Sequence, residues 1–241
     1  MRWLLSFLIL LGSTVTRCAF AEVAILPCAH DNTLFEDADG DTSNGAGPAL
    51  FAGRNSQDRT RRALVAFDLL NVLPAGARID RVELALYVSS APDSTARSFS
   101  LHRALRGWGE GVSSSSGGAG ATAAAGDATW LHARYPAELW SHPGGDFAAT
   151  ASASQRCGDI GPVAWEGPGL SADVEAWLAD PASNHGWLLM GEELGSRTVR
   201  RFASRESVEL ATRPTLTIFY SRSDPVAARP ASWGRLKAAY R

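Results

Sequence analysis

The sequence predicts an all-β protein, built as a jelly-roll-type β-sandwich with one short helix at about residues 171–179. Two observations lead to this prediction. Apolar and polar residues alternate with a period of two through several short segments, which is the pattern of half-buried strands. Turn signals at residues 73–76 and 91–94 separate these segments, and the chain of 241 residues is long enough for one sandwich with a full core.

The predicted strands follow one another along the chain. Residues 62–68 are dense in apolar side chains and predict a central strand. Val82, Leu84, Leu86 and Val88 form one face of the next strand. Further strands are predicted at residues 98–103, 186–190, 198–203 and 215–220.

A single segment has helical rather than strand spacing. Its apolar residues recur at the intervals of one helix face, and they are Leu170, Val174, Trp177 and Leu178. Ser171 is the predicted N-cap, Asp173 and Glu175 lie in the predicted first turn, and Pro181 ends the helix.

The segment at residues 111–126 is almost entirely Ser, Gly, Ala and Thr. Such a composition buries little apolar surface to offset the entropy that ordering costs. We therefore predict a mobile loop between the strands on either side.

The N-terminus has the three parts of a secretory signal. Arg2 gives a positive start, residues 3–11 are almost all apolar, and Ala19–Ala21 has the small-x-small form of a cleavage site. We predict a signal peptide at 1–21 and a secreted protein, extracellular or periplasmic. The single sandwich domain is predicted at 22–221, followed by a basic tail at 222–241.

Cleavage after Ala21 leaves two cysteines, Cys28 and Cys157. An even pair in an oxidising compartment predicts one disulfide between them. Two separate buried thiols are the alternative.

Charge is distributed unevenly along the chain. Without residues 1–21 the sequence holds 21 basic and 25 acidic side chains, a net charge of −4 that divides into −8 for the body and +4 for residues 222–241. Nucleic-acid binding requires a broad basic surface, so the acidic body excludes that class of partner.

For the tail, the composition predicts either disorder or a short basic helix that touches an anionic surface. Beyond the signal, no apolar run is long enough to predict a membrane span.

An ordered series of short motifs covers residues 31–220: Asp31–Leu34, Ser43–Gly45, Leu50–Arg54, Arg62–Leu69, Val82–Val88, Trp108–Gly111, Gly126–Trp130, Gly144–Phe147, Asn184–Leu189, Arg201–Glu206 and Arg213–Leu216. Through this series the chain resembles the DNRLRE domain family, which is grouped with carbohydrate-binding modules of secreted bacterial proteins. The resemblance implies a β jelly roll, secretion and, as in some members, binding of polysaccharides that include acidic ones such as alginate.

Arginines and tryptophans are the candidate ligand-binding residues. Guanidinium groups pair with planar carboxylates, and flat indole rings stack on sugar faces. The candidates are Arg54, Arg62, Trp108, Glu110, Trp130, Arg201, Arg205 and Glu206. Internal ion pairs that brace the loop ends are the alternative for the arginines, and loop anchoring is the alternative for the tryptophans.

One acidic turn suggests a cation. Asp37, Asp39 and Asp41 alternate around Gly40, and oxygen ligands at such spacing suit calcium. A solvated acidic turn is the alternative. A structural calcium is thus the one candidate cofactor.

No catalytic motif is present, and we predict a protein that is not an enzyme. His132, Arg134, Tyr135 and His142 are the residue types that a polysaccharide lyase uses, which keeps that activity as the weaker alternative. The sequence thus predicts a secreted carbohydrate-binding-like module with a polysaccharide partner. The main alternative is a structural or adhesive extracellular protein that binds protein partners.

Overall fold

The computed structural model describes residues 20–222. The predicted signal, apart from Phe20 and Ala21, and residues 223–241 of the predicted tail lie outside this range. The strands are β1 (Phe20–Pro27), β2 (His30–Phe35), β3 (Thr42–Ser43), β4 (Ala49–Arg54), β5 (Thr60–Ala66), β6 (Ala77–Ser90), β7 (Arg97–Arg103), β8 (Ala121–Thr122), β9 (His132–Arg134), β10 (Glu138–Leu139), β11 (Ala153–Cys157), β12 (Gly161–Glu166), β13 (Trp187–Met190), β14 (Arg200–Ala203) and β15 (Thr215–Arg222). The helix α1 spans Pro168–Ala179, and short 3-10 turns lie at Pro181–Ser183 and Leu210–Thr212.

The main strands form two antiparallel layers joined by β4. In the first layer β6 pairs with β12, β15 and β14, and β1 pairs with β15. In the second layer β5 pairs with β2 and β13, and β7 lies between β13 and β11. The strand β4 pairs with β14 and then with β5, so it passes from one layer to the other. This confirms the predicted all-β, sandwich-like class.

The main core lies between the two layers. The face of β6 that was predicted to point inward is buried along its whole length, from Val82 to Val88. Val65 and Leu189 of the opposite layer belong to the same cluster. Trp165 and Trp187 are fully buried in it, and each large apolar side chain removed from water contributes about 1.5–3 kcal/mol to the free energy of unfolding.

A second, smaller core covers the outer face of the second layer. Leu34, Leu64 and Leu188 point away from the main core and pack with Trp140, which belongs to the long connection between β7 and β11. The strands β2, β5 and β13 are therefore buried on both faces. This explains why the sequences of β5, from Ala63 on, and of β13 read as continuous apolar runs rather than as alternating patterns.

The helix begins earlier than predicted. Pro168 occupies its first turn and Gly167 is its N-cap, whereas Ser171 lies inside the helix. Proline favours this position because its fixed φ suits a helix and its missing N–H is an unpaired donor there anyway. The predicted apolar stripe is confirmed, since Leu170, Val174 and Trp177 are buried. Within the described residues, no helix is both long and apolar enough to cross a membrane.

Polar side chains hold the segment that was predicted to be mobile. The N–H of Ser115 donates to Asn44 Oδ1 at 2.6 Å, and the N–H of Val112 donates to Asp127 Oδ1 at 2.8 Å. Within the segment, β8 pairs with β3. The buried amides and carboxylates supply partners that apolar composition alone did not predict.

The predicted disulfide between Cys28 and Cys157 is wrong. Both thiols are free and buried. Cys28 lies just after β1, where its N–H donates to Pro214 O and its thiol donates to His30 O at 3.1 Å. Cys157 ends β11 opposite Arg97 of β7. Burial raises the pKa of Cys28 well above its ordinary value and that of Cys157 to about 12, so both are expected to be unreactive thiols.

We therefore expect reductant to leave the melting temperature of the protein unchanged. Alkylation should label Cys28 and Cys157 only after unfolding, which peptide mass mapping without reductant can measure. A peptide in which Cys28 is linked to Cys157 would contradict the structure.

Candidate functional site

A wide cleft lies where the loop at 141–147 crosses the outer face of β5. Its volume is about 690 Å³. The lining residues are Arg62, Leu105, Arg106, Ser141, His142, Pro143, Gly145, Asp146 and Phe147. We call it the main cleft.

Arg62 forms a rigid wall of the main cleft. Its guanidinium lies 5.0 Å from the ring centre of Trp130 and 5.2 Å from that of Phe147. It donates twice to Glu193, at 2.8 and 2.9 Å, and once to Gly144 O at 2.9 Å. Because Nε and Nη2 of Arg62 already bind Glu193, this arginine contributes to the shape of the cleft wall rather than a charge that is free for a ligand.

Arg106 supplies the accessible charge of the cleft. Its side chain is 43% exposed, and its nearest carboxylate oxygen, on Asp146, is 3.8 Å away. That carboxylate already accepts hydrogen bonds from the N–H groups of Ser141 and His142. The Arg106 guanidinium therefore retains donors for a ligand.

The apolar surface of the cleft lies beside this charge. Leu105 is exposed, Phe147 is half-buried, and the His142 ring stands at the rim. An aromatic edge, an aliphatic side chain and a guanidinium suit a ring that carries C–H surface and an acidic group.

Three of the predicted ligand-binding residues meet elsewhere and pair with one another. Arg205 donates to Glu110 through Nε at 2.6 Å and Nη2 at 3.1 Å, and its Nε lies 2.9 Å from Glu206. The fully buried Asp31 joins this group, since its N–H donates to Glu110 and its Oδ2 accepts from the N–H of Arg205. We call these four residues the acidic cluster. Its ion pairs match the bracing alternative considered for the arginines.

Burial shifts the titration of the acidic cluster. Desolvation raises the pKa of the Asp31 carboxyl well above its ordinary value, and it also raises the pKa of Glu206. One oxygen of each, Asp31 Oδ1 and Glu206 Oε2, is buried without a hydrogen-bond partner. The Arg205 guanidinium thus pairs with Glu110 and Glu206, while Asp31 accepts from the backbone N–H of Arg205.

The other predicted residues are dispersed. Arg54 donates to Asp58 O, and Arg201 donates to Ser89 Oγ at 2.9 Å on the first layer. Trp108 donates to His185 O and packs on the second core. Of all the predicted ligand-binding residues only Arg62 lines the main cleft, with Trp130 stacked behind it. Leu105, Arg106 and Phe147 were missed because they lie outside any arginine or tryptophan group in the sequence.

The acidic turn does not form a preformed metal site. In the part of the chain that the structure covers, no three His, Cys, Asp or Glu side chains are placed to hold a metal ion. Asp37 instead accepts a hydrogen bond from the N–H of Gly40. Asp39 and Asp41 complete no ligand set with it, so the structural calcium stays a prediction from sequence.

The residues named for a lyase are divided between two places. The rings of His132 and Tyr135 are in contact, with centres 5.1 Å apart, and Arg134 pairs with Glu138 at 2.9 Å. His142 lines the main cleft. The described contacts therefore do not gather the four around one reacting position.

No protein-family model and no curated protein matches this sequence. The resemblance to the DNRLRE family thus stays a prediction.

Proposed function

We propose that this protein is a secreted, non-catalytic carbohydrate-binding module that holds an acidic polysaccharide such as alginate in the main cleft. The observation that carries the proposal is the Arg106 guanidinium, which is exposed and only loosely paired beside Leu105 and Phe147. A uronate ring offers a carboxylate to the guanidinium and C–H surface to the apolar side chains. The rigid Arg62 wall fixes the shape of the cleft in advance, which lowers the entropic cost of binding.

A second candidate is a structural or adhesive protein that binds protein partners. It is favoured by β1, which within residues 20–222 pairs on one side only, with β15. Val23 and Ile25 of this strand are 50% and 67% exposed. An edge strand with exposed β-branched residues is a surface to which another chain can add a strand.

Replacing Arg106 by alanine is expected to weaken alginate binding at least roughly tenfold, because hydrogen bonds to charged groups contribute about 1.5–3 kcal/mol. Arg106→Lys should restore part of the affinity, since it keeps the charge without the fork. The affinity of the unaltered protein should fall as salt rises, since exposed charges are screened. Calorimetric titration measures all three.

Arg201→Ala is the matched control, because this arginine lies on the other layer and should leave the affinity unchanged. Equal affinities for the unaltered protein and Arg106→Ala would remove the main cleft as the site. A loss of affinity in Arg201→Ala alone would transfer the site to the first layer.

A further inference from the structure

A second cleft, of about 500 Å³, lies between the turn at 36–39, the turn at 55–61 and the backbone of residues 118–119. It shares no lining residue with the main cleft. Seven of its ten lining residues carry charged or amide side chains. We call it the polar cleft.

Arg61 presents two unused donors in the polar cleft. Its side chain is nine-tenths buried, and within the described residues no carboxylate lies within ion-pair distance of it. Its Nη1 donates to Thr60 O at 2.8 Å and to Glu36 O at 3.5 Å, and its guanidinium lies 4.8 Å from the ring centre of Phe35. These contacts fix the group.

The remaining edge of that guanidinium, Nε and Nη2, has no partner among residues 20–222, and Nε is buried. Arg62 and Arg205 each use this same edge to bind a carboxylate with two hydrogen bonds. A buried donor without a partner costs about 1–3 kcal/mol, and more when it is charged. The edge of Arg61 therefore holds two donors without a partner in the described residues, of which Nε is buried.

A complementary acceptor lines the same cleft. Asp37 Oδ1 accepts from the N–H of Gly40, which fixes the carboxylate, while Asp37 Oδ2 is buried with no partner. Asp37 and Arg61 are farther apart than an ion pair. Each is left with hydrogen-bonding capacity that the other does not satisfy.

The chemistry of this pair selects the ligand. A carboxylate accepts from Arg61 but donates nothing to Asp37, whereas an ammonium donates to Asp37 but accepts nothing from Arg61. A hydroxyl does both. Glu36, Asp37 and Asp39 outnumber the two arginines of the cleft, Arg59 and Arg61, which disfavours an anion.

We propose that the polar cleft binds a neutral saccharide, with neighbouring hydroxyl groups bridging Arg61 and Asp37. The half-buried Asn55 and the exposed Gln57 line the same cleft, and the Gln57 amide offers a further donor and acceptor to hydroxyls. The proposal takes from the proposed function only the class of ligand, a carbohydrate, because the residues and the charge preference of the two clefts differ.

The test is an NMR titration of the full protein with neutral hexasaccharides built of glucose, mannose or xylose. Binding should shift the Nε–H signal of Arg61 and the side-chain amide signals of Asn55 and Gln57. Asp37→Asn is the informative variant. It keeps an oxygen for the N–H of Gly40 and replaces the free acceptor by a donor, so affinity for the bound hexasaccharide should fall at least tenfold with the fold intact.

Asp41→Asn is the matched control, because this residue lies in the same turn but outside the polar cleft. It should bind the hexasaccharide as the unaltered protein does. The proposal is overturned if no hexasaccharide shifts these signals, if Asp37→Asn binds unchanged, or if Asp41→Asn loses as much affinity. Alginate titrations of the same proteins report on the main cleft alone, so failure of one site is distinguishable from failure of the other.

Discussion

Replacing Arg205 by alanine is expected to lower the free energy of unfolding by about 3 kcal/mol at pH 7. The change would take from Glu110 and Glu206 the guanidinium that pairs with them, and the fully buried Asp31 would lose a nearby positive charge. The expected loss is at the lower end of the range for buried ion pairs, because the Arg205 side chain is 38% exposed. If Arg205 were instead a ligand-binding residue, the variant would keep its stability and lose affinity.

The acidic cluster also makes the loss of stability in Arg205→Ala depend on pH. Burial raises the pKa of Asp31 and Glu206 in the folded protein, so the folded state holds more protons than the unfolded state between their ordinary values, about 4, and the raised values. Stability from this cluster is therefore greatest on the acid side of that window and falls as the pH rises through the raised pKa values. The cost of Arg205→Ala should shrink on moving from pH 7 to pH 5, because burial raises the pKa of Asp31 and Glu206 and these two carboxyl groups lose charge as the pH falls.

Urea unfolding at the two pH values measures this effect. Asp31→Asn is the companion variant, since its amide oxygen can still accept from the N–H of Arg205 while its charge is gone. It should be at least as stable as the unaltered protein at pH 7 and should depend less on pH. A variant Asp31→Asn that is strongly destabilised at pH 7 but not at pH 5 would show that the Asp31 charge stabilises the fold, contrary to the structure.

The sequence predicted the fold well because burial leaves a periodic signature. The inward face of β6, from Val82 to Val88, is buried as its alternation predicted. The predicted start of α1 was wrong because Pro168, whose fixed φ favours the first turn of a helix, lies ahead of Ser171, the predicted N-cap. The disulfide was wrong because an even number of cysteines carries no information on distance.

The candidate sites were less predictable, because they depend on contacts between distant segments. Glu110 and Arg205 were both named from sequence, yet nothing in it showed that they bind each other rather than a ligand. Arg106 and Phe147 are brought to one cleft by the second core, which local patterns do not encode. Arg61 is one of four arginines among residues 54–62, and its unused edge depends on where the neighbouring carbonyls lie.

Asp173 is a further residue whose contacts could not be predicted from the sequence. The sequence places it in the first turn of a helix, where an acid favours the helix dipole. In the structure it is buried, accepts from the indole N–H of Trp187 at 2.8 Å and from Ser152 Oγ, and lies 3.7 Å from Arg103. Its carboxylate thus ties α1 to β13.

Trp187→Ala is accordingly expected to lower the free energy of unfolding by about 3–5 kcal/mol, the usual cost of removing a large aromatic side chain from a core. Trp187 is fully buried, its ring centre is 4.5 Å from that of Trp177, and Phe67 packs on its other side at 6.3 Å. The variant would leave a cavity and would also take from Asp173 one of its donors.

Trp187→Phe separates these two contributions, because it fills much of the volume but lacks the N–H. Its cost should be intermediate, and Asp173→Ala should cost less in the Trp187→Phe background than alone, since their shared hydrogen bond is already absent. Urea unfolding of the three variants and the double variant measures this coupling. Strictly additive costs would mean that the indole–carboxylate bond does not hold α1 to the sheet, and that packing alone fixes the helix.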